Sequence, residues 1–166
     1  MSKKLKNGGF TLVEALVAIT ILTVSIVGPI TIASKGMAAS VFARDQITAF
    51  YLAQEAVEYI RNKRDENNIQ GNNWLFGLSE CIGGNVCMID IQNNNIELCQ
   101  GGACPVLKYN DTTGFYNYET GNNSNFIREI KIDTVDDKEV SITTTLSWKT
   151  GVISKTFTVK EHILDW

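Results

Sequence analysis

The stretch Gly8-Gly9-Phe10-Thr11-Leu12-Val13-Glu14-Ala15-Leu16-Val17, GGFTLVEALV, opens a long apolar run and sets one carboxylate near its start. Between Phe10 and Ser34 the sole ionisable group is Glu14. At 25 residues this run exceeds the roughly 20 that a helix needs to cross a bilayer. Lys3, Lys4 and Lys6 precede it, and their charge predicts a cytoplasmic N-terminus with everything after residue 35 outside. A charged side chain at the centre of a spanning helix costs about 2.5–3.5 kcal/mol, and less near an end. Glu14 sits near the end, but it still calls for a partner.

Reading outward, the apolar segment runs on without a stop. Met37 to Arg64 is free of proline and rich in Ala, Gln, Glu and Arg, all good helix formers. Ala49, Leu52, Ala53, Ala56 and Ile60 recur at spacings of three and four and make one apolar face, with Glu55, Glu58 and Arg61 off it. The spacing predicts one nearly continuous helix from about residue 10 to about residue 65, roughly 80 Å long. Its spanning half is 10–34 and its amphipathic half 35–66. Arg61, Lys63 and Arg64 suit the negative end of its dipole. Gly28-Pro29 removes the amide that would bond the Ser25 carbonyl, which predicts a kink or local melting there, or a packing accommodation without function.

Residues 67–125 change character. Asparagine and glycine crowd in, helical periodicity ends, and the segment reads as a loop-rich region with at most short strands. Val86 to Ile91 and Ile96 to Cys99 suit a hairpin around the asparagine run. The clearest strand signal is in 126–166. Val140, Ile142, Thr144, Leu146 and Trp148 alternate with Ser141, Thr143, Thr145 and Ser147. Phe126, Ile130 and Ile132 share a face of the strand before it, and Thr150-Gly151 turns the chain into Ile153, Phe157 and Val159. Three strands form a thin core that needs a cover, which the striped half of the helix can supply. The fold class is therefore α+β, a long helix against a small antiparallel sheet.

Composition narrows the function. The 166 residues carry a net charge of −3 and no basic patch, which argues against a nucleic-acid partner. Cys81, Cys87, Cys99 and Cys104 all fall in the exported part, and an even number in an oxidising compartment reads as two disulfides. Their spacing misses the paired C-x2-C of zinc knuckles. Local pairs, Cys81–Cys87 and Cys99–Cys104, would close small rings that each hold Gly-Gly. A nested set, Cys87–Cys99 with Cys81–Cys104, would rung the hairpin. The glycines incline the reading to the local pairs. Asn110-Asp111-Thr112 and Asp133 to Asp137 read as turn chemistry, since neither completes an oxygen cage for calcium. His162, the one histidine, has no Ser or Cys partner in sequence, so no nucleophilic triad and no enzyme is expected. Trp74, Trp148 and Trp166 read as packing groups. No cofactor or metal is expected.

Taken together, Gly9-Phe10-Thr11-Leu12-Val13-Glu14, behind a basic leader and ahead of an apolar helix, resembles the processing site of type IV pilins and type II secretion pseudopilins. Tyr51 to Asp65 is similar to minor pilins of the PilV kind and to I-type minor pseudopilins, although major pilins carry their proline slightly later than Pro29. The resemblance implies a leader of residues 1–9, cut by a prepilin peptidase between Gly9 and Phe10. The same enzyme would methylate the new Phe10 amine. Glu14 would then pair with the Phe10 amine of a neighbouring subunit. It implies a pilin-like fold and a structural subunit stored in the cytoplasmic membrane, then assembled with other pilins into a pilus or pseudopilus. The alternative from another class is a single-pass membrane protein whose external binding or sensing domain never polymerises.

Overall fold

A computed structural model describes residues 9–165. Of the expected features, Lys3, Lys4, Lys6 and most of the leader lie outside that range, as does Trp166. The chain divides into two units, 1–43 and 44–166.

Described from Gly9, the first unit is one helix. The helix, α1, spans Leu12–Gln70 and continues into the second unit. Along 9–43 the side chains are exposed, apart from the intermediate Ala15 and Phe42. Among the described residues α1 is the one helix long and apolar enough to cross a membrane. It is helical on both sides of Gly28 and Pro29, so the proline causes no local melting. Hydroxyls in this stretch bond back to their own helix, as Ser25 does to the Ile21 carbonyl at 2.7 Å. That satisfies their polarity without any neighbour.

The second unit holds the core. Ala49, Leu52, Ala53, Ala56 and Ile60, the expected stripe, are all buried. Three alanines in that stripe let the helix axis approach the sheet closely. The helix ends later than the sequence suggested. Gly71, at φ 71°, takes the left-handed conformation, its amide bonds the Asn68 carbonyl, and the Asn72 amide bonds the Asn67 carbonyl at 2.9 Å. This is a Schellman stop, which only a residue tolerant of positive φ makes cheaply. Arg61, Lys63 and Arg64 therefore stand before the last turn and serve lateral contacts instead. Arg61 pairs with Glu58 and Glu161, Lys63 with Glu66, and Arg64 donates to the Leu164 carbonyl at 3.1 Å.

The sheet has seven antiparallel strands, two more than the three-stranded meander and the hairpin read from the sequence. In chain order they are β1 Cys87–Asp90, β2 Asn95–Leu98, β3 Val106–Asn110, β4 Phe115–Asn117, β5 Asn122–Asp136, β6 Glu139–Thr150 and β7 Ile153–Leu164. The hairpin β1–β2 forms around the asparagine run, with Cys87 opposite Leu98 and Asp90 opposite Asn95. Strand β5 is the axle: one edge pairs β6 along its length, while the other takes β1 near Ile130 and β3 from Asn122 to Ile127. Two short hairpins thus share a single edge, and each borrows its stability from β5. Turns between the strands are set locally. Asn110 Oδ1 accepts from the amides of Thr112 and Thr113, and Gly121, at φ 106°, passes so close to the Tyr109 carbonyl that a Cβ would collide with it.

The inward faces of β5 and β6 carry Phe126, Ile130, Ile132, Val140, Ile142, Thr144, Leu146 and Trp148, all buried against the helix stripe. Trp74 is buried beside them. Cys81 bonds Cys87 and Cys99 bonds Cys104, with Cα atoms 4.9 and 4.7 Å apart. Each closes a ring holding two glycines at positive φ, Gly83-Gly84 and Gly101-Gly102. The Cys99 amide bonds the Val86 carbonyl at 2.8 Å, so both rings lie at the same end of the β1–β2 hairpin.

Candidate processing and assembly site

The helix start is built by two residues. Thr11 is its N-cap: its carbonyl takes the first helical bond, from the Ala15 amide at 3.1 Å. Its hydroxyl accepts from the Glu14 amide at 3.3 Å, while Glu14 Oε2 accepts from the Thr11 amide at 3.1 Å and from the Thr11 hydroxyl at 2.9 Å. This reciprocal pair is a capping box, threonine with a glutamate three residues on. The carboxylate also lies at the positive end of the helix dipole. All of these bonds reach Oε2 or the amide, so Glu14 Oε1 has no partner among the described residues.

Gly9 and Phe10 stand outside the helix, exposed, and among the described residues nothing beyond its own chain neighbours lies within 4 Å of where a Gly9 Cβ would be. The peptide bond between them is therefore free of secondary structure and unobstructed. Sequence reasoning saw Glu14 as a charge awaiting a partner and overlooked that Thr11 already gives it one. The signal was present, since Thr-x-x-Glu before an apolar run is a helix-start signature.

Residues 4–28 match the family model of the prokaryotic N-terminal methylation motif. The chain carries that motif. Its geometry here is the capped helix start just described, with Phe10 two residues ahead of the first helical turn. The match supports the type IV pilin and pseudopilin superfamily, and implies a precursor processed by prepilin peptidase that assembles with other pilins. It suggests a structural subunit rather than an enzyme, and the exposed apolar helix of the motif-bearing chain fits a membrane anchor. No curated protein and no solved structure matches the chain significantly.

Beyond the motif, the domain of the chain holds a charge that went unnoticed in the sequence. Arg128 lies on the inward face of β5 between Phe126 and Ile130 and is fully buried. Its Nη1 donates to the Leu52 carbonyl at 3.1 Å and to Glu55 Oε2 at 3.0 Å, and its Nη2 donates to the Ile89 carbonyl at 2.7 Å. One side chain thus ties α1, β1 and β5 together, and Glu55 supplies the opposite charge that burial demands. Period two in β5 put position 128 on the core face. The sequence reading followed the apolar members of that face and passed over the basic one. Nearby, Tyr118 donates to the Arg128 carbonyl at 3.4 Å, and burial pushes its phenol pKa up despite the Arg128 charge. Asp90, also buried, accepts from the Asn93 and Tyr118 amides. His162 sits on β7 with its ring nitrogen Nδ1 against Glu139 Oε1.

Proposed function

We propose that the chain is a minor pilin or pseudopilin, cut between Gly9 and Phe10, N-methylated on Phe10, and built into an extracytoplasmic filament through its N-terminal helix. The observation that carries this reading is the methylation motif on a capped helix whose preceding peptide bond is open. A peptidase needs an accessible bond, and Gly9–Phe10, exposed and outside the helix, offers one. Cleavage leaves the Thr11 amide in place, so the capping box survives it. Glu14 Oε1 then remains for a second cation, and the assembly partner is the Phe10 amine of a neighbouring subunit. Leader removal acts as the licence, because residues 1–9 would otherwise carry Lys3, Lys4 and Lys6 into an apolar bundle. Before assembly the protein resides in the cytoplasmic membrane with residues 44–166 outside.

Co-expression with a prepilin peptidase tests this. Intact-mass and peptide spectra should show loss of residues 1–9 and a methylated Phe10. Glu14→Ala protein should be cleaved but left out of sheared filaments. An unprocessed chain would favour the single-pass binding protein, a reading that the self-contained core of 44–166 allows. Incorporation of Glu14→Ala at the unmodified level would remove Glu14 from assembly.

A further inference from the structure

On the domain surface, α1 and the β3–β4 hairpin enclose a cavity of about 330 Å³. Thr48, Tyr51, Leu52 and Glu55 form its helix wall, at spacings that put them on one face. Gly114, Phe115 and Tyr116 close it from the hairpin tip. Tyr51 and Phe115 are 64% and 52% exposed, so their rings add little to the core. Two large aromatic groups held partly in water around a concavity mark a recognition surface.

Glu55 decides what that surface recognises. Its Oε2 is taken by Arg128, while Oε1 has no partner among the described residues. Aromatic faces attract a cation through their quadrupole, and a carboxylate oxygen pairs with its N–H groups. An anionic guest would be repelled by that oxygen, and a neutral donor would bond it without the attraction of the aromatic faces. The domain as a whole leans the same way: residues 44–166 hold 17 acidic and 11 basic side chains, a net charge that favours the approach of a basic segment. We infer that this cavity receives a lysine or arginine side chain of a neighbouring pilin subunit. The inference rests on the filament reading above, because that reading supplies the neighbour.

The test uses the full chain in cells that hold its assembly machinery, with benzoylphenylalanine in place of Tyr51. After irradiation, adducts are digested and sequenced by mass spectrometry. Adduct peptides from a pilin subunit, with a lysine or arginine within a few residues of the linked position, are expected. Glu55→Gln should lower their yield about five-fold. Phe115→Ser should lower it similarly while leaving the Glu55–Arg128 pair intact, which guards against a folding defect in the first variant. Adducts only with lipid, adducts with peptides lacking a basic residue, or yields indifferent to both substitutions would overturn the inference. Phe10 methylation is read in the same digest. Processed protein without adducts overturns the cavity alone, and unprocessed protein without adducts overturns the filament reading as well. Adducts from unprocessed protein support the cavity and sink only the processing scheme.

Discussion

Residues 12–43 and 44–70 belong to one helix, yet their apolar side chains meet opposite fates. Leu16, Ile19, Leu22, Ile26 and Ile30 are all more than half exposed, whereas Leu52, Ala53, Ala56 and Ile60 are buried under the sheet. Both halves have continuous helical sequence, so the difference does not come from backbone propensity. It comes from patterning. The first half is apolar all round and finds no partner within its own unit, while the second is striped and meets a sheet. A helix of the first kind requires lipid or other subunits, and one of the second kind completes a domain. The capping box fits this division. Among the described residues, the helix start is fixed by Thr11 and Glu14 themselves.

Several substitutions bear on that contrast. The largest effect should come from Arg128→Ala, which strands Glu55 and two backbone carbonyls. A loss of about 3–5 kcal/mol is expected in denaturant unfolding followed by tryptophan fluorescence. A loss under 1 kcal/mol would mean that the buried cation does not tie the helix to the sheet. Next, Ile142→Ala in the core should cost about 2–5 kcal/mol, while Leu22→Ala on the exposed half should leave the same transition unchanged within about 0.5 kcal/mol. Equal effects would break the comparison outright. Thr11→Ala should cost about 1 kcal/mol, read as faster hydrogen exchange at the amides of residues 12–15 in micelles with the 44–166 transition unmoved.

The smallest effect concerns alkali. Because burial raises the Tyr118 pKa, the folded domain keeps that proton to higher pH than the unfolded chain, whose tyrosines titrate near 10. Stability from this group is complete below about pH 10 and falls as pH rises through the folded value. Tyr118→Phe should flatten that part of the stability profile, measured by thermal unfolding between about pH 9 and pH 11.5. An unchanged slope would show that the phenol is not what titrates.

Much of the fold was legible because it rests on periodicity. The stripe Ala49 to Ile60 and the alternation Val140 to Trp148 each repeat often enough to declare a helix face and a strand. Strands β3 and β4 did not, since they run three to five residues beside asparagine- and glycine-rich turns, whereas the β1–β2 hairpin was legible from its asparagine run. Strand β3 pairs with β4 and also with residues 122–127 of β5, and no local pattern encodes that second pairing. Arg128 was hidden for a related reason. A charge on a core face looks like an interruption until the acceptors at Leu52, Glu55 and Ile89 are brought to it.

By itself the sequence determined the helix, its two characters, the N-terminal methylation motif and the position of Glu14, because each depends on residues within a few turns of one another. Tertiary structure decided how far the sheet extends and why a buried arginine is tolerable. Those depend on groups that are distant in the chain, up to the 76 residues between Leu52 and Arg128, whose free energies count only once folding has removed the water between them.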